Sequence, residues 1–164
     1  MSVFEKVMRP ADGAAWVTGA SSGIGKAVAE KLADEGWTVW ATARSEDDLN
    51  SMADKRPNIR PAPGDVTDAE AMAGIVAKIT AEGPLALTIL NAGVYEPMKA
   101  QQFDAATAKK TFDVNLTGVA NGLDPVLKHM IGRGDGHVAI TASVAGYRGL
   151  PRASAYSATK AALI

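Results

Sequence analysis

Apolar and polar positions alternate along this chain at two different periods. Short runs rich in β-formers, such as Ala14 to Thr18 and Leu85 to Leu90, are separated by longer stretches in which apolar residues recur every three or four positions. That alternation of a buried-strand pattern with a helical pattern marks parallel βαβ units. Strands are predicted at Ala14 to Thr18, Trp37 to Thr42, Asn58 to Ala62, Leu85 to Leu90 and His137 to Ala142. After the first comes a helix with Ile24, Val28 and Leu32 on one face, closed by Gly36. A polar helix begins near Ser45, Thr67 with Glu70 reads as a capping box opening the next, and Gly83-Pro84 ends it. The longest helix is carried by Phe112, Leu116, Val119, Leu123, Val126, Leu127, Met130 and Ile131; it is bent at Pro125, which lacks a backbone donor, and ended by Gly132 to Gly136. A last helix starts at Ser154. Parallel strands joined by right-handed crossovers form an open, doubly wound α/β sheet, with ligands expected beyond the carboxyl ends of the strands.

Composition narrows the chemistry. The 164 residues suit one domain, 1–164, and with 47% apolar and 21% charged residues the chain has the balance of a globular protein. A net charge of −1 with scattered Lys and Arg argues against nucleic-acid binding by a basic face. The absence of cysteine removes disulfides and thiolate chemistry. No apolar run approaches the ~20 residues of a membrane span, and Met1 to Asp12 has no apolar core like that of a secretory signal, so the expectation is a cytoplasmic protein with no membrane partner. His129 and His137 lack ligand spacing, and no metal site is expected.

Thr18-Gly19-Ala20-Ser21-Ser22-Gly23-Ile24-Gly25 lies between an apolar strand and a helix, where a phosphate-binding turn must sit to use a helix N-terminus. Gly19 permits the tight turn, Gly23 lets backbone approach a diphosphate, and Gly25 lets helix and sheet pack closely. Ser21 and Ser22 add hydroxyls. At the end of the second strand stands Arg44 rather than an acid. An acid there binds the ribose 2′-hydroxyl of NAD, whereas a guanidinium grips the 2′-phosphate of NADP, so NADP(H) is the preferred cofactor and NAD(H) the alternative.

The T-G-x-x-x-G-x-G spacing resembles that of the short-chain dehydrogenase/reductase family. Leu90-Asn91-Ala92-Gly93 resembles the family's N-A-G motif, Asn115 its helix asparagine, and Ser143, Tyr156 and Lys160 its catalytic set, so the likeness spans nearly the whole chain. It implies a Rossmann-type, three-layer αβα fold and hydride transfer between NADP(H) and a small carbonyl or secondary alcohol. In that scheme Tyr156 is general acid/base, Lys160 lowers its pKa and holds the nicotinamide ribose, Ser143 bonds the substrate oxygen, and Asn115 anchors a water in the proton relay. The glycine turn from Gly19 to Gly25, including Ile24, then holds the diphosphate. Arg44, Asp65 with Val66, and Asn91 to Gly93 hold the rest of the cofactor, and a homodimer or homotetramer is implied.

The chemistry makes the tyrosine–lysine pair intelligible. Bringing a phenol from a pKa of about 10 to neutrality requires preferential phenolate stabilisation of about 4 kcal/mol. One ammonium at ~4 Å in an effective dielectric of ~20 supplies that order of energy. Tyr156 and Lys160 are four apart on a predicted helix, hence on one face.

Two other readings stay open: a nucleotide-sugar epimerase on the same fold, and a dinucleotide-binding or structural protein without turnover. Family members are usually longer, so the final strands are expected to be missing, leaving the fifth strand as an edge. Tyr95, Val144, Tyr147 and Leu150 suggest a partly apolar pocket, while Arg148 and Arg152 read as solvated.

Overall fold

Five strands lie parallel in the order β3-β2-β1-β4-β5: β1 is Ala14–Thr18, β2 Val39–Thr42, β3 Ile59–Pro61, β4 Leu85–Leu90 and β5 His137–Ile140. This is a computed structural model describing residues 6–164; residues 1–5 of the N-terminal stretch read above lie outside the described residues. The helices are α1 (Gly23–Asp34), α2 (Glu46–Ala53), α3 (Ala69–Glu82), α4 (Ala105–Phe112), α5 (Gly118–Arg133), α6 (Val144–Tyr147) and α7 (Ser154–Ala161). Among the described residues no helix is long and apolar enough to cross a membrane.

Side chains alternate across a strand, so β1 feeds two cores. Ala15 and Val17 join Ala29, Ala33, Leu49 and Met52 on the α1/α2 face. Trp16 points the other way, among Met72, Ile79, Val126 and Met130 of α3 and α5. Its buried indole N–H donates to Thr42 Oγ1 at 2.8 Å, which satisfies the one polar atom that a tryptophan brings into a core. The result is the expected three-layer, doubly wound Rossmann-type arrangement.

The buried face of α1 differs from the predicted one. Gly25, Ala29 and Ala33 are buried, Val28 and Leu32 flank them, and Ile24 is 66% exposed. The small residues face inward because helix and glycine turn approach so closely that larger ones are displaced to the sides. Gly36, at φ 91, closes the helix as expected.

The cap of α3 also differs. Asp68 is the N-cap, its carboxylate accepting the Ala71 N–H at 3.0 Å. Thr67 is held one residue earlier, because Asp65 Oδ1 accepts both its N–H at 2.9 Å and its hydroxyl at 2.8 Å. The longest predicted helix is α4 and α5 joined by a π-helical stretch, Asp113–Thr117. The hydrogen bonding widens there, whereas α5 continues through Pro125. Such widened turns admit one extra residue, and here Asn115 is carried into the interior, fully buried. β5 is an edge strand whose residues alternate between exposed and half-buried.

Candidate active site

Three glycines shape the turn after β1, each for a different reason. Gly19 has φ 68, and a Cβ there would lie 2.8 Å from Ala92 Cα. A Cβ on Gly25 would lie 2.2 Å from the Gly19 carbonyl oxygen and 2.5 Å from Asn91 Nδ2, so the helix packs directly on the turn. Gly23, at φ 54, has nothing within 4 Å and faces open space. Ser45, Asp68 and Asp104 each cap a helix by accepting a first-turn N–H, but Ser22 makes no such bond at the start of α1. The amides of that first turn are left with the positive end of the helix dipole at the cleft.

The carboxyl ends of three strands are stitched together beside this turn. Thr18 Oγ1 accepts the N–H groups of Asn91 at 3.0 Å and Ala92 at 3.1 Å, and Asn91 Nδ2 donates to the Thr18 carbonyl at 3.2 Å. The Thr141 hydroxyl donates to Asn91 Oδ1 at 3.2 Å. Lys160 Nζ, arriving from α7, donates to the Thr141 carbonyl at 2.6 Å. The polar groups at the ends of β1, β4 and β5 therefore form one chain terminating at an ammonium.

That ammonium lies 5.7 Å from the centroid of the Tyr156 ring. Lys160 is 4% exposed, and burial pushes its pKa down from the usual lysine value. Asn115 uses its whole side-chain amide on protein. Its Oδ1 accepts the Val94 N–H at 2.8 Å, and Nδ2 donates to the Val94 carbonyl at 3.0 Å and to Thr159 Oγ1 at 3.1 Å. Thr159 in turn donates to the Tyr156 carbonyl at 2.7 Å.

A cleft of about 420 Å³ runs along these strand ends. It is lined by Gly19 and Ser21 to Ile24 of the glycine turn, by Arg44, Asp65 and Val66, by Asn91, Ala92 and Gly93, and by Tyr156 and Lys160. Gly25 and Asn115 are buried behind it. Ser143 is not among the lining residues, and its Oγ accepts the Ala145 N–H at 3.2 Å to cap α6. Among lining residues the sequence reading passed over are Val94, Lys110, Val114 and Thr141. Lys110 and Val114 lie one turn apart at the end of a helical pattern and carry no motif of their own.

Arg44 is exposed and makes no ion pair among the described residues, and its charge reaches Asp65. The Asp65 carboxyl is held below the usual carboxylate range first by the Thr67 N–H, against the cost of burial, then by the Thr67 hydroxyl and the Arg44 charge. The site thus combines an anion-receptive helix end and a free guanidinium with a phenol beside a buried ammonium.

Comparison with known proteins places this geometry in a wider set. Actinorhodin polyketide ketoreductase, whose crystal structure contains NADPH, superposes with a TM-score of 0.88 at 30% identity, covering 95% of this chain and 63% of that one. An uncharacterized oxidoreductase of Myxococcus xanthus is 38% identical over 154 residues, 91% of this chain and 61% of that protein. The 2,3-dihydro-2,3-dihydroxybenzoate dehydrogenase of Bacillus subtilis is 35% identical over 157 residues, 92% of this chain and 59% of that protein. The chain thus spans about 60% of the length of these two relatives. The family model described as short chain dehydrogenase matches residues 13–164, from the glycine before β1 through the Tyr156 helix, and this chain belongs to that family.

Proposed function

We propose that the cleft binds NADP(H) and that the residues around it serve an oxidoreductase acting on a carbonyl or secondary alcohol. One observation carries this reading: Tyr156 and Lys160 stand in the wall of the same cleft that the uncapped start of α1 enters. The glycine turn fits a diphosphate, since Gly23 leaves open the space in front of it and the first-turn amides are without a side-chain cap. When bound, the cofactor supplies or accepts the hydride.

The remaining work falls to the chain's own side chains. Tyr156 gives its proton to the carbonyl oxygen in reduction and takes it back in oxidation. Lys160, held by the Thr141 carbonyl, sets its ammonium beside the phenol that exchanges the proton. Ser143 accepts from Ala145 and still has its hydroxyl proton to donate to the substrate oxygen. The Asn115 amide is spent on Val94 and Thr159, so this residue acts as a positioning residue behind Tyr156. A water relaying protons to Lys160 would then be anchored by the Asn115 main chain rather than by its amide. Arg44, free of carboxylate partners among the described residues, supports a preference for the 2′-phosphate of NADP. Asp65 and Val66 are the adenine contacts: both line the cleft, and Thr67 engages only Oδ1 of the Asp65 carboxylate.

The reading extends to a cytoplasmic homodimer or homotetramer, supported by the exposed Phe112, Leu127 and Ile131 on α4 and α5. The test is NADPH consumption with a panel of ketones. Tyr156→Phe should lower turnover by about a hundredfold or more, and equal rates in variant and wild type would refute the assignment.

A further inference from the structure

We infer that Tyr95 selects the substrate, and that the substrate it favours carries a ring. The inference rests on the assignment of Tyr156 as acid/base and adds a specificity role that assignment does not contain. Tyr95 is 50% exposed and lines the cleft, yet the segment that carries it is fixed at both ends. Immediately before it, Val94 is bonded through both its N–H and its carbonyl by the buried Asn115. Three residues after it, the Met98 N–H donates to the Arg152 carbonyl at 2.8 Å. Arg152 is the one non-glycine residue among those described with a left-handed backbone, at φ 65, a strained conformation held in the turn just before α7. The tether therefore runs from the loop after β4 to both sides of the Tyr156 helix.

The tethers set the two rings together. The Tyr95 and Tyr156 centroids are 5.0 Å apart with their planes tilted by 56°, within the range of attractive aromatic pairs. Lys160 lies 5.7 Å from the Tyr156 centroid, so a cation, a phenol and a second aromatic ring are grouped in the lining of the cleft. The Tyr95 hydroxyl has no protein partner among the described residues, so ring and hydroxyl are both open to a ligand, and Tyr95→Phe tells them apart. A rigid, half-exposed ring beside the acid/base is a platform. A cyclic substrate laid on it releases water from two apolar surfaces and has few rotors to freeze, whereas an open chain of equal carbon count makes poorer contact and loses more freedom.

The experiment compares cyclohexanone with hexan-2-one, using NADPH and the full-length protein, in wild type, Tyr95→Ala and Tyr95→Phe. The quantity read is the ratio of the two kcat/KM values, in which the intrinsic reactivities of the ketones cancel between variants. Tyr95→Ala should lower the cyclohexanone/hexan-2-one ratio about tenfold, and Tyr95→Phe, which keeps the ring, should restore it. Any change in NADPH affinity, read by fluorescence titration, acts on both ketones alike and cancels in the ratio. A ratio that Tyr95→Ala leaves unchanged while both ketones turn over removes the ring-selecting role and leaves the reductase reading standing. A wild type that consumes NADPH with no carbonyl at all overturns that reading and this inference with it.

Discussion

Asn115 holds Val94 by both of its main-chain polar groups, at 2.8 Å and 3.0 Å, from inside a π-helical stretch that turns its side chain inward. A third bond reaches Thr159 on α7, so a single amide joins the loop after β4 to the helix bearing Tyr156. Replacing it by leucine leaves the N–H and carbonyl of Val94 without their partner. At about 1–3 kcal/mol for each buried group stranded, Asn115→Leu should destabilise the fold by about 3 kcal/mol, read from urea denaturation midpoints. A loss below about 0.5 kcal/mol would show that water replaces the amide without cost.

Two glycines of one turn should fail in different ways. Gly25→Ala places a methyl 2.2 Å from the Gly19 carbonyl oxygen, so α1 must move off the turn and both folding stability and NADPH binding should suffer. Gly23→Ala meets no protein atom, and its folding cost is only the left-handed φ of 54, about 1–2 kcal/mol. Its larger effect should be on the dissociation constant of NADPH, because the methyl enters the space proposed for the diphosphate. Unfolding curves and fluorescence titration on both variants separate the two behaviours, and equal binding losses would contradict the assignment of that space.

How much of this was legible beforehand depended on whether a feature is local. The strands and the T-G-x-x-x-G-x-G turn could be read because a buried strand and a close backbone approach constrain residue type at each position. The inward face of α1 could not, because Ile24, Val28 and Leu32 make a plausible helical stripe, and only the proximity of Gly19 and Asn91 forces the small residues inward. Thr67 and Asp68 are both good caps in sequence, and what decides between them is that Asp65 engages Thr67 first. The π-helical stretch leaves apolar spacing almost intact, so the helical pattern ran across it. Val94 toward Asn115 and Thr141 toward Lys160 act through backbone groups, for which side-chain identity carries almost no signal.

Cofactor preference should follow Arg44. Charge-assisted bonds to a phosphate are worth about 1.5–3 kcal/mol, so Arg44→Met should weaken NADPH binding by roughly tenfold or more while leaving NADH binding nearly unchanged. Because Arg44 is exposed, the wild-type advantage for NADPH should also shrink as salt is raised. Titrating both nucleotides against both proteins at two ionic strengths reads this directly. Parallel losses for the two nucleotides would mean that the guanidinium does not meet the 2′-phosphate.

His129 supplies an acid-sensitive element remote from the cleft. Its Nε2 accepts the Leu85 N–H at 3.2 Å, at the start of β4, while Arg133 one turn further along α5 donates to the Leu85 carbonyl at 3.1 Å. An accepting imidazole nitrogen must be unprotonated, and burial first, then the Arg133 charge, lower the His129 pKa from 6.5. Below the lowered value His129 is protonated in folded and unfolded chains alike, and the penalty is complete. Above about 6.5 it is neutral in both and there is no penalty. Between those limits the unfolded chain binds the extra proton, so stability falls as pH falls, by no more than about 1.4 kcal/mol per pH unit. Carboxylates held below their usual range, such as Asp34 and Asp104, lose their contribution at lower pH and belong to a separate phase. His129→Gln keeps an acceptor that does not titrate, so its urea midpoint should stay flat where the wild type begins to fall just below pH ~6.5. Superimposable midpoint-against-pH curves for the two proteins would place the acid sensitivity of the fold elsewhere.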